Sequence, residues 1–361
     1  MAKGVYTGFY DNTQLLAATD ANGERPEVYF VCSRGRSAGK TYAFSKTLWE
    51  HYKETGEKFI LLTRRIQDLQ GGSIASGIMK SYLDNEDPGV QLTERVGLRG
   101  AFNHIVAERW EGDECTKTDV GYVIALAADS KIKNVSSMFV DAWAMFMDEF
   151  QPMHSVEYLK DEVQRLDTIH TSVARGGGQS VRWVPVFMCS NAINIFNPYF
   201  VACDLVKHIQ SNTRLYKGDG FIYERCIVKG LNEKRRQSGF ARTFATLENT
   251  VDNDNSWLAD NGSCVAKPDG WGPASTLMTL VNGNEKYGVK YYPQVDLYYV
   301  DRKPQLSDAV PTFAMTLGDN LNIPFLKKSQ HMKVIRDRFM AGQLRCKDSG
   351  IQSAILDMFI A

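Results

Sequence analysis

The sequence predicts an α/β protein built on a mostly parallel β-sheet, followed by a smaller α+β domain. Three observations predict it. Short apolar runs alternate with segments of helical period through the first half of the chain. The first of these runs, residues 27–32 (EVYFVC), leads through a glycine-bearing loop straight into a helix. After residue 200 the alternation stops, and three strand-like runs and two helices follow.

The elements read as follows. Residues 27–32 form a buried strand, and residues 40–54 a helix with Phe44, Leu48 and Tyr52 on one stripe and Gly56 as its stop. Residues 58–63 (KFILLT) are a second strand, and 76–83 a short helix. Residues 104–107 and 122–126 are strands separated by a polar connector. Residues 142–147 (AWAMFM) are another buried strand, 156–173 a helix, and 181–189 a strand in which Pro185 predicts an edge position or a bulge. Residues 203–245 are mixed and charged, with a basic group at Lys229, Lys234, Arg235, Arg236 and Arg242; residues 249–273 read as loop. Strands are expected at 276–281, 288–292 and 295–300, with Asn282-Gly283-Asn284 turning a hairpin. Helices are expected near 329–341 and 349–360. The domain organisation is thus 1–200 for the first domain, 201–228 for a linker and 229–361 for the second.

Composition limits the function classes. The 361 residues suffice for two domains. Lys and Arg total 42, as do Asp and Glu, so no global charge pulls toward nucleic acid or membrane, although a neutral total can conceal a local basic patch. The seven cysteines are scattered, without metal-ligand spacing, and read as reduced thiols of an intracellular protein. The six histidines show no zinc spacing. There is no signal-peptide pattern and no apolar stretch long enough to span a bilayer, so a soluble protein without a membrane partner is expected.

The strongest chemical signal is the loop Arg34-Gly35-Arg36-Ser37-Ala38-Gly39-Lys40-Thr41 between the first strand and its helix. Such a loop turns backbone N–H groups toward phosphates, and the helix N-terminus adds partial positive charge. Lys40 would reach the β- and γ-phosphates of ATP, and the Thr41 hydroxyl would bind Mg²⁺. The pattern departs from the usual one at Arg34, where a glycine is expected. A second signal is Asp148-Glu149, delivered by the apolar strand 142–147. The aspartate would help hold Mg²⁺, and the glutamate would polarise the attacking water. Ser190-Asn191 ends the next long strand and could sense the γ-phosphate or merely turn the chain. Arg36 could touch phosphate in cis or in a neighbouring subunit. Arg175, before Gly176-Gly177-Gly178, could act as a finger on a neighbour's ATP, with Arg182 as rival. Arg64-Arg65 and Lys131 with Lys133 could face DNA phosphates, or simply be solvated.

With these residues in hand, the chain resembles the DNA-packaging ATPases of small podophages, the Picovirinae encapsidation proteins, which are shortened relatives of terminase large subunits. "GRSAGKT", "ILLTRR", "MFMDEF", "CSNAINIFNPYF", "EKRRQSGFAR" and "FMAGQLR" carry the likeness in the family's order across nearly the whole chain. The resemblance implies an additional-strand, catalytic-glutamate P-loop domain and a C-terminal RNase H-like domain that is a vestigial nuclease. It implies a homomeric, pentameric ring docked on a prohead portal in the host cytoplasm, with a packaging RNA and double-stranded DNA as partners. Lys40, Thr41, Asp148 and Glu149 keep their roles, Ser190 and Asn191 match the motif coupling hydrolysis to movement, and Arg175 matches the trans-acting arginine. Asp296 and Asp301 lack the converging carboxylates of a two-metal nuclease, so no DNA cleavage is expected. Two other readings stay open: a terminase with an active nuclease, and a nucleotide-dependent assembly switch without translocation.

Overall fold

The computed structural model describes residues 5–6, 8–33, 38–152, 157–175, 182–193, 195, 197–209, 213–228, 270–307, 309–340 and 343–347, and five positions between 351 and 358. It divides into two compact units. The first comprises Met1–Ile193, Asn197–Cys203 and Ile209–Asn255, and the second Asn194–Phe196, Asp204–His208 and Ser256–Ala361.

The first unit is organised by a ten-stranded sheet. Its strands are β1 (Val5–Tyr6), β2 (Val28–Ser33), β3 (Lys58–Thr63), β4 (Val90–Val96), β5 (Phe102–Glu111), β6 (Glu114–Ala125), β7 (Ala142–Asp148), β8 (Val186–Asn191), β9 (Leu215–Lys217) and β10 (Phe221–Val228). The order is β1-β10-β2-β8-β7-β3-β6-β5-β4, with β9 beside β10. Strands β10, β2, β8, β7, β3 and β6 run parallel. Their apolar runs are buried nearly throughout, as a sheet covered on both faces requires. Strand β8 lies between β2 and β7, the inserted position that gives the additional-strand class its name. The carboxyl ends of β2, β8 and β7 therefore sit side by side, where open parallel sheets bind ligands.

Among the described residues the unit also has the α-helices α1 (Thr13–Leu16), α2 (Lys40–Thr55), α3 (Ile66–Gln70), α4 (Ile74–Glu86), α5 (Asp129–Lys133), α6 (Glu162–Ala174) and α7 (Pro198–Ala202). Helix α2 leaves Gly39 at φ 90° and ends at Gly56 at φ 76°, whose N–H donates to the Tyr52 carbonyl at 2.8 Å. Its Phe44 and Leu48 are fully buried, and the Phe44 ring centroid lies 5.6 Å from that of Phe146 and 5.1 Å from that of Phe187. Burying such a side chain contributes about 1.5–3 kcal/mol, so this stripe anchors α2, and with it the Gly39 end, to the sheet.

Three expectations need correction. The polar connector between the strands at 104–107 and 122–126 is itself strand, for β5 and β6 pair, past one register shift between Ile105 and Val106, out to Glu111 opposite Glu114. Cross-strand pairs such as Lys117–Glu108 at 2.7 Å sustain it where apolar alternation is missing. Pro185 marks neither an edge nor a bulge. It precedes the central strand β8, and its carbonyl accepts the Met145 N–H at 2.8 Å, so the missing donor falls outside the ladder. Residues 215–228, within the expected linker, supply β9 and β10, and β10 pairs with β2 from Phe221 opposite Val28 to Cys226 opposite Ser33. Its Glu224 and Arg225 are buried despite their charge, which disguised the strand.

The second unit has a mixed five-stranded sheet, β14-β11-β12-β13-β15. Its strands are β11 (Ser275–Asn282), β12 (Glu285–Tyr292), β13 (Leu297–Asp301), β14 (Thr312–Ala314) and β15 (Leu344–Cys346), joined by helix α8 (Gln330–Met340). The expected hairpin is present, with Asn282 opposite Glu285 and Gly283 at φ 59°. Ile335 of α8 and Ile351, Ile355 and Met358 pack with Leu280, Val289 and Val300 of the sheet. The basic group from Lys229 to Arg242 lies outside the described residues.

Candidate active site

The site forms where β2, β7 and β8 end. Arg34, Gly35, Arg36 and Ser37 lie outside the described residues; the rest of the loop is placed. Ala38 is buried, and its carbonyl accepts the Tyr10 N–H at 2.9 Å. Gly39 is left-handed, and a Cβ there would stand 3.0 Å from the Phe9 Cβ and 3.4 Å from the Tyr10 nitrogen, so only glycine fits both the turn and the approach. Lys40 opens α2 with 7% exposure, and its Nζ donates to the Ser33 hydroxyl at the end of β2.

Thr41 and Asp148, 107 residues apart, meet: the Thr41 hydroxyl donates to Asp148 Oδ2 at 2.7 Å. Burial pushes the Asp148 carboxyl above the usual range, against the Thr41 hydrogen bond and the Lys40 charge, which pull it down. A hydroxyl and a carboxylate oxygen converging on one point are hard donors of the kind Mg²⁺ takes, in the small number it needs when phosphates and water complete its shell. These two residues fit that ion.

Glu149 follows in left-handed backbone, φ 53°, with an exposed side chain. For a residue with a Cβ this costs roughly 1–2 kcal/mol, and the surroundings hold it. Its N–H donates to Asp148 Oδ1 at 3.0 Å, and the Phe150 N–H to the Cys189 carbonyl at 3.1 Å. Ser190 is buried, its Oγ 3.7 Å from Cys32 Sγ. Burial pushes the Cys32 thiol up to about 12, so it is no nucleophile. Asn191 is partly exposed at the end of β8 and lines a cleft of about 630 Å³ with Asp148, Glu149, Arg65 and Gln151. Asp148 also borders a larger cleft of about 1270 Å³ that runs past Lys40 and Thr41 to Tyr10, Asn12 and Lys46. It thus stands on the wall between a space wide enough for a nucleotide and the space holding Glu149.

The arginines separate. Arg64, a candidate for DNA, is turned inward with a side chain 14% exposed. Its Nε donates to both oxygens of Glu162 at 3.1 and 3.2 Å, Nη1 to the Glu149 carbonyl at 3.0 Å, and Nη2 to the Phe150 carbonyl. The guanidinium is thus engaged within the chain rather than free at the surface. Arg65 is exposed beside the Glu149 cleft, and Lys131 and Lys133 are exposed on α5. Arg182 is also spent internally: Nη2 donates to the carbonyls of Phe139 at 2.9 Å and Val173 at 3.2 Å, tying down the end of α6. Arg175, at that same end, is exposed.

Several residues escaped the sequence reading. Gln151, two residues past Glu149, is 2% exposed; its amide donates to Cys32 Sγ at 3.4 Å and accepts the Ile193 N–H at 3.2 Å, bridging the ends of β7 and β8. Glu224 accepts the hydroxyls of Tyr6 at 2.7 Å and Tyr10 at 2.9 Å. Burial raises its pKa against those two bonds. Asn12 donates to the Ala43 carbonyl at 3.3 Å and the Thr47 hydroxyl at 2.9 Å. Together Tyr10 and Asn12 clasp the segment before β2 onto Ala38 and α2. The only sequence signal for Glu224 was a charge inside an apolar run.

Comparison with known proteins agrees with this geometry. A sequence model of the family described as Podovirus DNA encapsidation protein (Gp16) matches residues 8–360. The DNA packaging protein of Bacillus phage B103 is 24% identical over 332 residues, covering 90% of this chain and 94% of that one. A chain of the bacteriophage Phi-29 viral genome packaging motor assembly superposes with a TM-score of 0.54 at 21% identity, with 98% of each chain covered. The Phi-28 gp11 DNA packaging motor gives 0.52 at 16% identity, covering 98% of this chain and 97% of that one. At such identities the structures establish a shared fold, and the family match over nearly the whole length establishes descent. The chain belongs to the podovirus DNA encapsidation protein (Gp16) family, and DNA packaging is the process it serves.

Proposed function

We propose that this chain hydrolyses ATP, with Mg²⁺, to drive double-stranded DNA into a prohead. The observation that carries the reading is the 2.7 Å contact between Thr41 and Asp148, with Lys40 and Glu149 as their immediate neighbours in sequence. Lys40 and the N-terminus of α2 neutralise phosphate charge, Thr41 and Asp148 hold the ion that bridges the phosphates, and Glu149 orients the attacking water. Ser190 and Asn191 feel the state of this centre from the neighbouring strand. Arg175, exposed while Arg182 is engaged, is the candidate finger for the ATP of a neighbouring subunit.

The motor assembly to which the chain is similar supports an oligomer, and the family resemblance a homomeric, pentameric ring joined to the portal through a packaging RNA. Arg65, Lys131 and Lys133 remain the candidates for DNA, through phosphates rather than bases, because a translocating motor must accept any sequence. The second unit we read as the RNase H-like, vestigial nuclease domain. Among the described residues Asp301 pairs with Lys290 at 2.7 Å and Asp296 with Arg338 at 2.9 Å, and no group of three or more His, Cys, Asp or Glu side chains could hold a metal ion.

The test is steady-state ATP turnover with and without non-specific DNA, in the wild type and in Lys40→Ala and Glu149→Gln. Loss of turnover in both, with DNA stimulation of the wild type, is expected. Turnover that survives both substitutions overturns the site. Turnover indifferent to DNA favours an assembly switch over a motor.

A further inference from the structure

The sheet of the first unit buries a carboxylate that the proposed chemistry does not use. Glu224 lies in the middle of β10, opposite Val31 of β2 on one side and Leu215 of β9 on the other, and is 4% exposed. Among the described residues no cation pairs with it. Its two oxygens take the hydroxyls of Tyr6 and Tyr10, and burial pushes its pKa up. Tyr10 is buried as deeply. Its ring stacks on that of Phe44 in α2, with centroids 6.3 Å apart, and meets the Tyr6 ring edge-on at 5.0 Å. Its main-chain N–H donates to the Ala38 carbonyl at 2.9 Å. That carbonyl and the Gly39 N–H belong to one planar trans peptide, so they point in opposite directions. The bond from Tyr10 therefore fixes where the Gly39 N–H aims, and among the described residues no other main-chain group binds that N–H.

We infer that Glu224 is a positioning residue for nucleotide binding: from the middle of β10 it holds the Tyr10 hydroxyl, so that Tyr10 pins the Ala38–Gly39 peptide with its N–H set for a phosphate before ATP arrives. The inference rests on the ATPase reading. Three features argue for positioning rather than general support. A carboxylate buried without a cation costs stability, and an apolar residue would serve the sheet better. The neighbours of Tyr10 follow the same course: Phe9 stands so close to Gly39 that an added Cβ would meet it at 3.0 Å, and Asn12 bonds to Ala43 and Thr47, so the segment is laid along the turns of α2 that carry Lys40 and Thr41. And a backbone donor held in place beforehand gives up little freedom when it meets an anion, which is where such a support shows its effect. Glu224 itself acts only through Tyr10.

The experiment compares the Kd of a fluorescent ATP analogue, kcat and KM for ATP, and the melting temperature in full-length variants. Tyr10→Phe keeps the ring on Phe44 and drops the hydroxyl. Glu224→Leu drops the acceptor and the charge. The double variant removes both partners, so neither is left buried and unpaired, and it should melt near the wild type. Each of the three should raise the Kd about tenfold, the scale of one hydrogen bond to a charged group, with the loss lying in KM more than in kcat. The double variant should bind no worse than either single one, because the two residues act as a unit. Glu224→Gln keeps an oxygen for the Tyr10 hydroxyl and should restore the affinity to within about threefold of the wild type. Wild-type affinity in the double variant overturns the inference. So do additive losses, and so does a Kd that merely tracks the melting temperature across the variants, which marks a structural contact. A wild type that neither binds the analogue nor turns ATP over overturns the ATPase reading first, and the inference with it.

Discussion

The two units place acidic residues at strand ends in opposite ways. In the first, Asp148 and Glu149 leave β7 with one carboxylate hydrogen-bonded, among the described residues, to a neutral hydroxyl and a backbone N–H and the other exposed. In the second, Asp301 ends β13 against Lys290, and Asp296 is held by Arg338, Tyr291 and Gln343. The residue types are the same, but a carboxylate that a resident cation has already neutralised is unavailable to a metal ion or a water. On the proposed reading the chemistry falls to the first unit, where the Lys40 ammonium is hydrogen-bonded to the Ser33 hydroxyl rather than to a carboxylate.

The largest effect that could break this contrast is at Lys40. Lys40→Ala should lower kcat/KM for ATP about 1000-fold, the range for a charged group that stabilises transferring phosphate. A variant within tenfold of the wild type would mean the phosphates sit elsewhere. Next, Glu149→Gln should lower kcat about 100-fold or more while nucleotide affinity holds, as for loss of a general base; calorimetric titration with ATP separates the two. The second unit should respond in stability instead. Lys290→Met leaves Asp301 partly buried and unpaired and should cost about 2 kcal/mol in chemical denaturation, with turnover unchanged. Asp301→Asn should leave turnover unchanged too, and manganese-dependent plasmid cleavage abolished by that substitution would break the contrast outright.

The smallest effect is a pH dependence. The folded-state pKa of Asp148 is raised by burial, so its ionised form is disfavoured in the native state. That penalty is complete above the raised pKa and gone below the ordinary aspartate range, since there both states are protonated. Asp148→Asn should therefore raise the melting temperature at neutral pH, with the gain fading as the solution is acidified, even though turnover is lost. A gain that grows on acidification would contradict the burial.

Much of this was legible in the sequence. Period and apolarity located β2, β3, β7 and α2, because strands buried on both faces and a helix with a single buried stripe leave clean patterns. Lys40, Thr41, Asp148 and Glu149 stand out in the sequence because those residue types at those strand ends suit a phosphate site, and the structure brings Thr41 and Asp148 together. What escaped depended on pairing across the sheet. Strand β10 was taken for linker because Glu224 and Arg225 look solvated until Tyr6, Tyr10 and the sheet enclose them. Arg64 looks like a surface cation for the same reason: nothing near it in sequence announces Glu162, 98 residues away. Gln151 carried no motif at all.

The left-handed turn at Glu149 has a consequence for anyone redesigning this chain. Judged by backbone preference alone, position 149 calls for glycine or asparagine, and a sequence-optimisation scheme rewarded for foldability would make that exchange first. On the proposed reading that exchange would leave a folded but inert protein, so position 149 should be frozen before any such redesign begins.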